Sequence, residues 1–263
     1  MEAAVRIKQL GSTFSSADNI LVAFSGGVDS TFLLYVLSKY SDAKVAAVTI
    51  KTAYIPQWEV DEAAEFCRSM NIDHTILELS IDNSLLFNPP DRCYRCKSIL
   101  FERIKKYALQ KGFNIIADGS NADDTKDYRP GMKALRELDV RSPLLENGCT
   151  KQEIRKHLRD FGLEIWDKPA YACLLTRIPY NTGITAGKLG LIEKAELFIH
   201  KLGFPGARVR LHDNMARLEI NTAYFSSLLE EETRMKVVKE FRKLGIEYIS
   251  LDLEGYRTGS MNL

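Results

Sequence analysis

Asn19-Ile20-Leu21-Val22-Ala23-Phe24-Ser25-Gly26-Gly27-Val28-Asp29-Ser30 decides the fold class of this 263-residue chain. Asn19–Phe24 is a short apolar run that reads as a buried strand. From Asp29 to Tyr40, Phe32, Leu33, Val36 and Leu37 recur at helical spacing. Between the two stands a glycine turn.

Working outward, Lys44–Ile50, His74–Leu79 and Phe113–Ala117 read as further strands, and Glu59–Met70, Tyr94–Lys111 and Lys151–Phe161 as helices. Alternation of this kind predicts an α/β fold, a doubly wound parallel sheet with helices on both faces. Ligands in such sheets sit at the carboxyl ends of the strands. From Thr185 the pattern changes: a helix to His200, alternating strands Ala207–His212 and Met215–Ile220 joined by Asp213-Asn214, a helix over Ser226–Leu244 and a strand Tyr248–Leu253. Asp-Asn suits a tight hairpin because both residues tolerate left-handed backbone. The expected organisation is a first domain over residues 1–178, a linker around Ile178–Gly183, and a smaller C-terminal α+β domain over residues 185–263.

The glycine turn has the makings of an anion site. Gly26 and Gly27 can turn successive N–H groups toward one point, and the helix N-terminus adds positive potential there. Ser25 and Ser30 offer hydroxyl donors to phosphate. Asp29 would hold loop amides or a magnesium ion, since an unpaired carboxylate facing phosphate would repel it. A plain glycine turn with a serine cap is the bland alternative. The spacing matches neither the mononucleotide loop ending in Gly-Lys-Ser/Thr nor the dinucleotide G-x-G-x-x-G.

Charge is balanced, 36 basic against 35 acidic side chains for a net +1, so no long-range field draws nucleic acid or a membrane surface. No apolar run reaches the roughly 20 residues of a spanning helix, and the opening MEAAVRIKQLGS lacks the apolar core of a secretion signal. The expected compartment is the cytoplasm, with no membrane or nucleic-acid partner. There thiols stay reduced, and the five cysteines are read as metal ligands, catalytic thiols or core residues.

Cys93-Tyr94-Arg95-Cys96 has metal-ligand spacing on a loop or first helical turn, beside Arg92, Arg95 and Lys97, which favour thiolate. A structural zinc needs four ligands, and the chain has no second C-x-x-C. Cys173 is the best third candidate. Three cysteines would leave one iron of a [4Fe–4S] cluster open to a sulfide or a substrate atom. A redox pair, a zinc completed by His or Asp, and unrelated buried thiols stay open. Cys67, on an apolar helix stripe, reads as core, and Cys149, in a turn, as incidental.

Further stretches complete the picture: Asp118-Gly119-Ser120-Asn121-Ala122-Asp123-Asp124, Asp127-Tyr128-Arg129-Pro130-Gly131, Arg141-Ser142-Pro143-Leu144, Cys173–Tyr180 and Leu251–Asn262. The Ser25–Ser30 loop resembles that of the PP-loop ATPases, the adenine nucleotide alpha hydrolase-like group that splits ATP into AMP and pyrophosphate. With these stretches the chain resembles the LarE family over nearly its whole length. The resemblance implies adenylation of a carboxylate of pyridinium-3,5-biscarboxylic acid mononucleotide, then sulfur transfer and AMP release, in synthesis of the nickel-pincer cofactor of lactate racemase. In one branch a single cysteine, matching Cys173 or its near neighbourhood, gives up its sulfur. This chain departs from that branch in having Cys93 and Cys96, and looks like the branch in which three cysteines hold a [4Fe–4S] cluster. A sulfide source or sulfur donor and a homo-oligomer are implied with it. A PP-loop tRNA thiolase and an ammonia-using synthetase are the competing enzyme readings.

For the remaining site residues, Asp118, Gly119, Asp124 and Asp127 lie after the fourth strand, at the same sheet edge as the loop, where a carboxylate can hold magnesium or nucleotide hydroxyls. A solvated acidic turn is the alternative. Arg129 could meet phosphate or a substrate carboxylate, or simply pair with Asp127. Arg208, Arg210 and His212 share one strand face. The resemblance makes that face a candidate for substrate phosphate, with Arg177, Glu196 and Arg257 joining it; an isolated hairpin would instead present a solvated face.

Overall fold

The computed structural model describes residues 7, 9–126, 130–169 and 171–257. Asp127 and Arg129 lie outside the described residues. The chain divides into two compact units: residues 1–52, 57–82 and 91–168 form the first, and residues 53–56, 83–90 and 169–263 the second.

The first unit contains β1 (Asn19–Ala23), α1 (Val28–Tyr40), β2 (Lys44–Lys51), α2 (Gln57–Ser69), β3 (His74–Glu78), α3 (Arg92–Lys111), β4 (Ile115–Ala117), α4 (Gly131–Glu137), the short α5 (Pro143–Glu146) and α6 (Lys151–Asp160). Its strands form a parallel sheet in the order β3-β2-β1-β4. The two-residue strand period separates the faces. Ile20, Val22 and Ala47 enter one apolar cluster with Phe32 and Leu33 of α1, Ala63 of α2 and Ile154 and Leu158 of α6. Leu21, Ala46, Val48 and Ile50 enter another with Phe101 and Ile104 of α3 and Leu135 of α4. This is the doubly wound α/β sheet that the alternation predicts. Eight of the thirteen residues of α1 are buried, so its N-terminus is held firmly at the end of β1. Beside β4, the Asp118 N–H donates to the Arg141 carbonyl at 2.9 Å, which brings Ser142 to the mouth of the sheet.

The second unit contains α7 (Ala186–Lys201), β5 (Arg208–His212), β6 (Met215–Glu219), α8 (Phe225–Leu229), α9 (Glu231–Lys243) and β7 (Tyr248–Leu251). β5 and β6 form the expected hairpin, with Asp213 at φ 52°, and β7 adds to β6 in parallel. The single helix expected over Ser226–Leu244 is two, broken at Glu230, whose ψ of 137° is extended. Glu231 and Glu232 then occupy the first turn of α9, where the helix dipole favours negative charge. The expected linker around residues 178–183 lies inside this unit. The Asn88 amide donates to the carbonyls of Leu175, Ile178 and Pro179 at 3.1, 2.7 and 3.1 Å and so ties the stretch down.

Candidate active site

The loop after β1 is built around one left-handed residue. Gly26 has φ 66°, which side chains rarely adopt, and a Cβ there would also stand 3.2 Å from the Ala63 Cβ. Gly27 is extended (φ −84°, ψ 165°), and any residue adopts that backbone; its smallness answers to Ser25 Oγ, 3.3 Å from where a Cβ would lie. Only the first glycine is therefore demanded by conformation. No side-chain hydrogen bond caps α1 at Gly27, which leaves the donors of the first helical turn to a ligand or solvent. The two hydroxyls brace the loop: Ser30 Oγ donates to the Gly27 carbonyl at 3.1 Å, and Ser25 Oγ lies 3.1 Å from Ser30 Oγ. A single hydroxyl hydrogen cannot serve two acceptors, so with Ser30 donating to Gly27, Ser25 donates to Ser30.

Asp29, in the first turn, carries the site's electrostatic tension. Its Oδ1 is buried without a hydrogen-bond partner among the described residues, and so is Nδ2 of Asn121, the neighbouring amide that helps to favour its charged form. Burial pushes its pKa above the usual carboxylate range; Lys151 and Arg155 pull it back and Asp124 pushes it further up. An orphaned carboxylate oxygen beside an anion cradle fits magnesium, which takes one or two carboxylates and completes its shell with phosphate oxygens and water. Asp29 would hold the ion, with Asp124, buried nearby, as the next carboxylate.

The sign of the shift gives a test. A carboxyl pKa raised by folding means that the ionised form weakens the native state at every pH above the unfolded carboxylate range. Asp29→Asn is therefore expected to melt a few degrees higher at neutral pH while its magnesium-dependent turnover falls on the order of 100-fold. A variant that melts lower, or keeps its turnover, would remove Asp29 from this role.

Asp118 stands differently. Its side chain is 6% exposed, and its carboxylate accepts from Ser120 Oγ and Ser142 Oγ, both at 2.6 Å, with Lys97 Nζ at 3.7 Å. It is thus held as a structural anchor of the turn after β4. Gly119 next to it presses on the loop: a Cβ would stand 2.8 Å from the Ser30 N. Of the three residues expected after the fourth strand, Gly119 packs against the loop and Asp124 lies near Asp29, while the contacts of Asp118 run to Ser120, Ser142, Lys97 and Arg141.

Cys93 and Cys96 lie three residues apart within the first five residues of α3, one exposed and one half-buried. Cys173, half-buried, belongs to the second unit and immediately precedes the short helical turn Leu174–Arg177. Cys67 and Cys149 are buried in the apolar core, and burial pushes the Cys67 thiol up to about 12. Among the described residues, no group of three or more His, Cys, Asp or Glu side chains is arranged to hold a metal ion.

In the second unit the charged residues pair in the interior. Arg177, 1% exposed, makes a two-pronged pair with Glu196 at 2.7 and 2.9 Å and also donates to the carbonyls of Ala172 and Cys173. Arg210 makes a second such pair with Glu219 and donates to the Thr176 carbonyl at 2.6 Å. The face of β5 is therefore covered, and the solvated-face reading is set aside. Arg208 lies between the Tyr171 and Tyr256 rings, 5.1 and 4.8 Å from their centres. Burial, and then the nearby Arg177, hold its pKa below the usual arginine range. Arg257 is exposed and pairs with Glu254.

Residues 1–127 match the PP-loop domain family. An uncharacterised protein of Synechocystis sp. is 35% identical over 98% of this chain and 97% of its own length. The pyridinium-3,5-bisthiocarboxylic acid mononucleotide synthase of Lactiplantibacillus plantarum is 32% identical over 98% of this chain and 94% of its own. The chain belongs to the LarE family. Its first unit is accordingly a PP-loop ATP-binding domain, and the chain is an enzyme of a family of ATP-dependent sulfur transferases. The match to the tRNA-specific 2-thiouridylase of Rickettsia massiliae is more distant, 27% identical over 57% of this chain and 52% of that one. No helix among the described residues is long and apolar enough to cross a membrane.

Two features of this LarE-family site escaped the sequence reading. Lys168 donates to the Gly26 carbonyl, and Asn121, fully buried, lies beside Asp29. Neither has a local signal: Lys168 is 142 residues from Gly26, and Asn121 sits in an acidic stretch where the carboxylates draw attention.

Proposed function

We propose that this enzyme activates a carboxylate of pyridinium-3,5-biscarboxylic acid mononucleotide with ATP and converts it to a thiocarboxylate. The observation that carries the reading is the Ser25–Ser30 loop at the carboxyl end of β1, in a chain similar over nearly its full length to the L. plantarum synthase. A carboxylate oxygen of the acceptor attacks the α-phosphorus of ATP and the bond to pyrophosphate breaks. The donors of the first turn of α1 take up the charge that builds on the leaving group; Asp29, with Asp124 nearby, would hold a magnesium ion, which when bound would supply further positive charge there. A sulfur nucleophile then attacks the acyl carbon, and AMP leaves with the carboxylate oxygen.

The acceptor's own phosphate is assigned to the β5 face at Arg208. An anion there would offset both the burial of that guanidinium and the repulsion from Arg177. Arg177, Glu196 and Arg210 shape that face, and Arg257, Asp127 and Arg129 complete the proposed substrate contacts. The compartment proposed is the cytoplasm, and the assembly a homo-oligomer.

Cys93, Cys96 and Cys173 are proposed as ligands of a [4Fe–4S] cluster. Thiol donors, two of them on one helical turn beside Arg92, Arg95 and Lys97, suit that group. When bound, its open iron would carry the sulfide that serves as nucleophile.

Anaerobic reaction with ATP, magnesium, the biscarboxylic mononucleotide and sulfide tests the chemistry. The expected products are AMP, pyrophosphate and an acceptor in which sulfur replaces oxygen. Iron and acid-labile sulfide in the purified protein test the cluster separately. About four irons per chain are expected in the wild type and a loss of most of them in each of Cys93→Ala, Cys96→Ala and Cys173→Ala. Iron retained without any of the three thiols would refute the ligand set, and AMP formed without thiocarboxylate would point to amidation.

A further inference from the structure

Lys168 reaches the loop through a built path. Its Nζ donates to the Gly26 carbonyl at 2.9 Å and to the Glu62 carboxylate at 2.6 Å, and lies 5.5 Å from the centre of the Trp58 ring. The lysine side chain is 14% exposed, against 55% for Glu62, so the carbonyl contact is the sheltered one. Its backbone is aimed from α6, where the Arg155 guanidinium donates to the carbonyls of Trp166 and Lys168, and the Lys168 N–H closes the short helical turn on Ile165 at 3.0 Å. Three separate contacts thus deliver one cation to one carbonyl.

That carbonyl belongs to the left-handed residue of the loop. A trans peptide is planar, with its C=O and N–H on opposite sides. Holding the Gly26 oxygen on the lysine therefore turns the Gly27 N–H to the other side of the loop strand, the side of the Ser25 hydroxyl, whose Oγ accepts from it at a long 3.4 Å. A cation on the oxygen also polarises the amide and makes that N–H a stronger donor. Without the cation, a glycine at this position regains its freedom to rotate.

We infer that Lys168 is a positioning residue of the phosphate loop, which fixes the peptide between Gly26 and Gly27 so that the Gly27 N–H faces the pyrophosphate moiety of ATP. This rests on the reading of the loop as an ATP site. The lysine acts through the peptide, without touching the nucleotide, and Glu62 balances its charge.

The test compares ligands that differ only in what they ask of the loop. Calorimetric binding of pyrophosphate, a non-hydrolysable ATP analogue and AMP is measured for wild type, Lys168→Met, Lys168→Arg and Glu62→Gln. Lys168→Met is expected to bind pyrophosphate and the ATP analogue about tenfold more weakly, in keeping with loss of a hydrogen bond to a charged group, with AMP binding unchanged. Its KM for ATP rises more than its kcat falls. Lys168→Arg, which can donate to the same carbonyl, restores most of the affinity. Glu62→Gln, which keeps the lysine contact, holds pyrophosphate at least as well as the wild type. Unchanged AMP binding also shows that the methionine variant is folded. Equal weakening toward AMP and pyrophosphate, no weakening at all, or no rescue by arginine would overturn the assignment. A wild type that binds no ATP analogue would overturn the loop reading and this inference together, whereas an ATP-binding wild type with an indifferent Lys168→Met removes only the lysine's role.

Discussion

Gly119→Ala is expected to lower ATP-dependent turnover on the order of 100-fold and to cost about 1–3 kcal/mol of stability. The new Cβ would lie 2.8 Å from the Ser30 N, 2.9 Å from the Ser30 Cα and 3.2 Å from the Asp29 carbonyl carbon. All three are backbone atoms, so no side chain can rotate away. Retreat is blocked on both sides. Asp118 is fastened by its N–H to Arg141 and by its carboxylate to Ser120 and Ser142, and α1 is buried along most of its length. The strain must then be released at the loop itself, where a displacement near an ångström suffices to misplace a phosphate. Pyrophosphate exchange into ATP and thermal melting measure the two effects. Gly190→Ala in α7 is the control, because nothing lies within 4 Å of its added Cβ and alanine favours the helix. Turnover in Gly119→Ala within a few-fold of wild type would show that the turn after β4 can give way.

The sheet and the loop were legible in the sequence because they rest on local signals. Continuous apolar runs mark β1 and β2, and the switch from such a run to helical spacing falls on the glycine turn itself. The Thr150–Glu153 capping box, found at the start of α6, is likewise a local device. What escaped depends on distance along the chain. Lys168 meets Gly26, and Asn88 ties residues 175–179, through contacts that no window of neighbouring residues contains. The second unit shows a different limit. Arg208 and Arg210 share a face by strand alternation, but alternation does not say whether that face meets solvent, ligand or protein. Glu219 lies on the paired strand and Glu196 on α7, and only the fold brings them to Arg210 and Arg177. The break at Glu230 was hidden by good helix formers on both sides, which override no tertiary constraint.

Glu196→Ala is expected to destabilise the second unit by about 3–5 kcal/mol, because it strands a buried guanidinium. Glu196 Oε1 accepts from Arg177 Nε at 2.7 Å and from the Val209 N–H at 2.9 Å, while Oε2 accepts from Arg177 Nη2 at 2.9 Å. One carboxylate therefore joins α7, β5 and the turn after Cys173. Arg177 is 1% exposed and Glu196 11%, so water cannot take over the lost bonds without opening the structure. The guanidinium also holds the Ala172 and Cys173 carbonyls at 2.8 and 3.3 Å. Its release should loosen the backbone that presents the half-buried Cys173 thiol. Denaturant unfolding reads the first effect, and peptide-mapped alkylation of Cys173, faster in the variant, reads the second. Double replacement by Arg177→Met with Glu196→Leu removes both charges together. It should recover a large part of the loss, since an apolar pair of similar volume is often as stable as a buried ion pair. A cost below about 1 kcal/mol for Glu196→Ala, within the range of an exposed pair, would mean that the guanidinium finds water or another acceptor. A double variant no better than the single one would place the stabilisation in the Val209 contact instead of the ion pair.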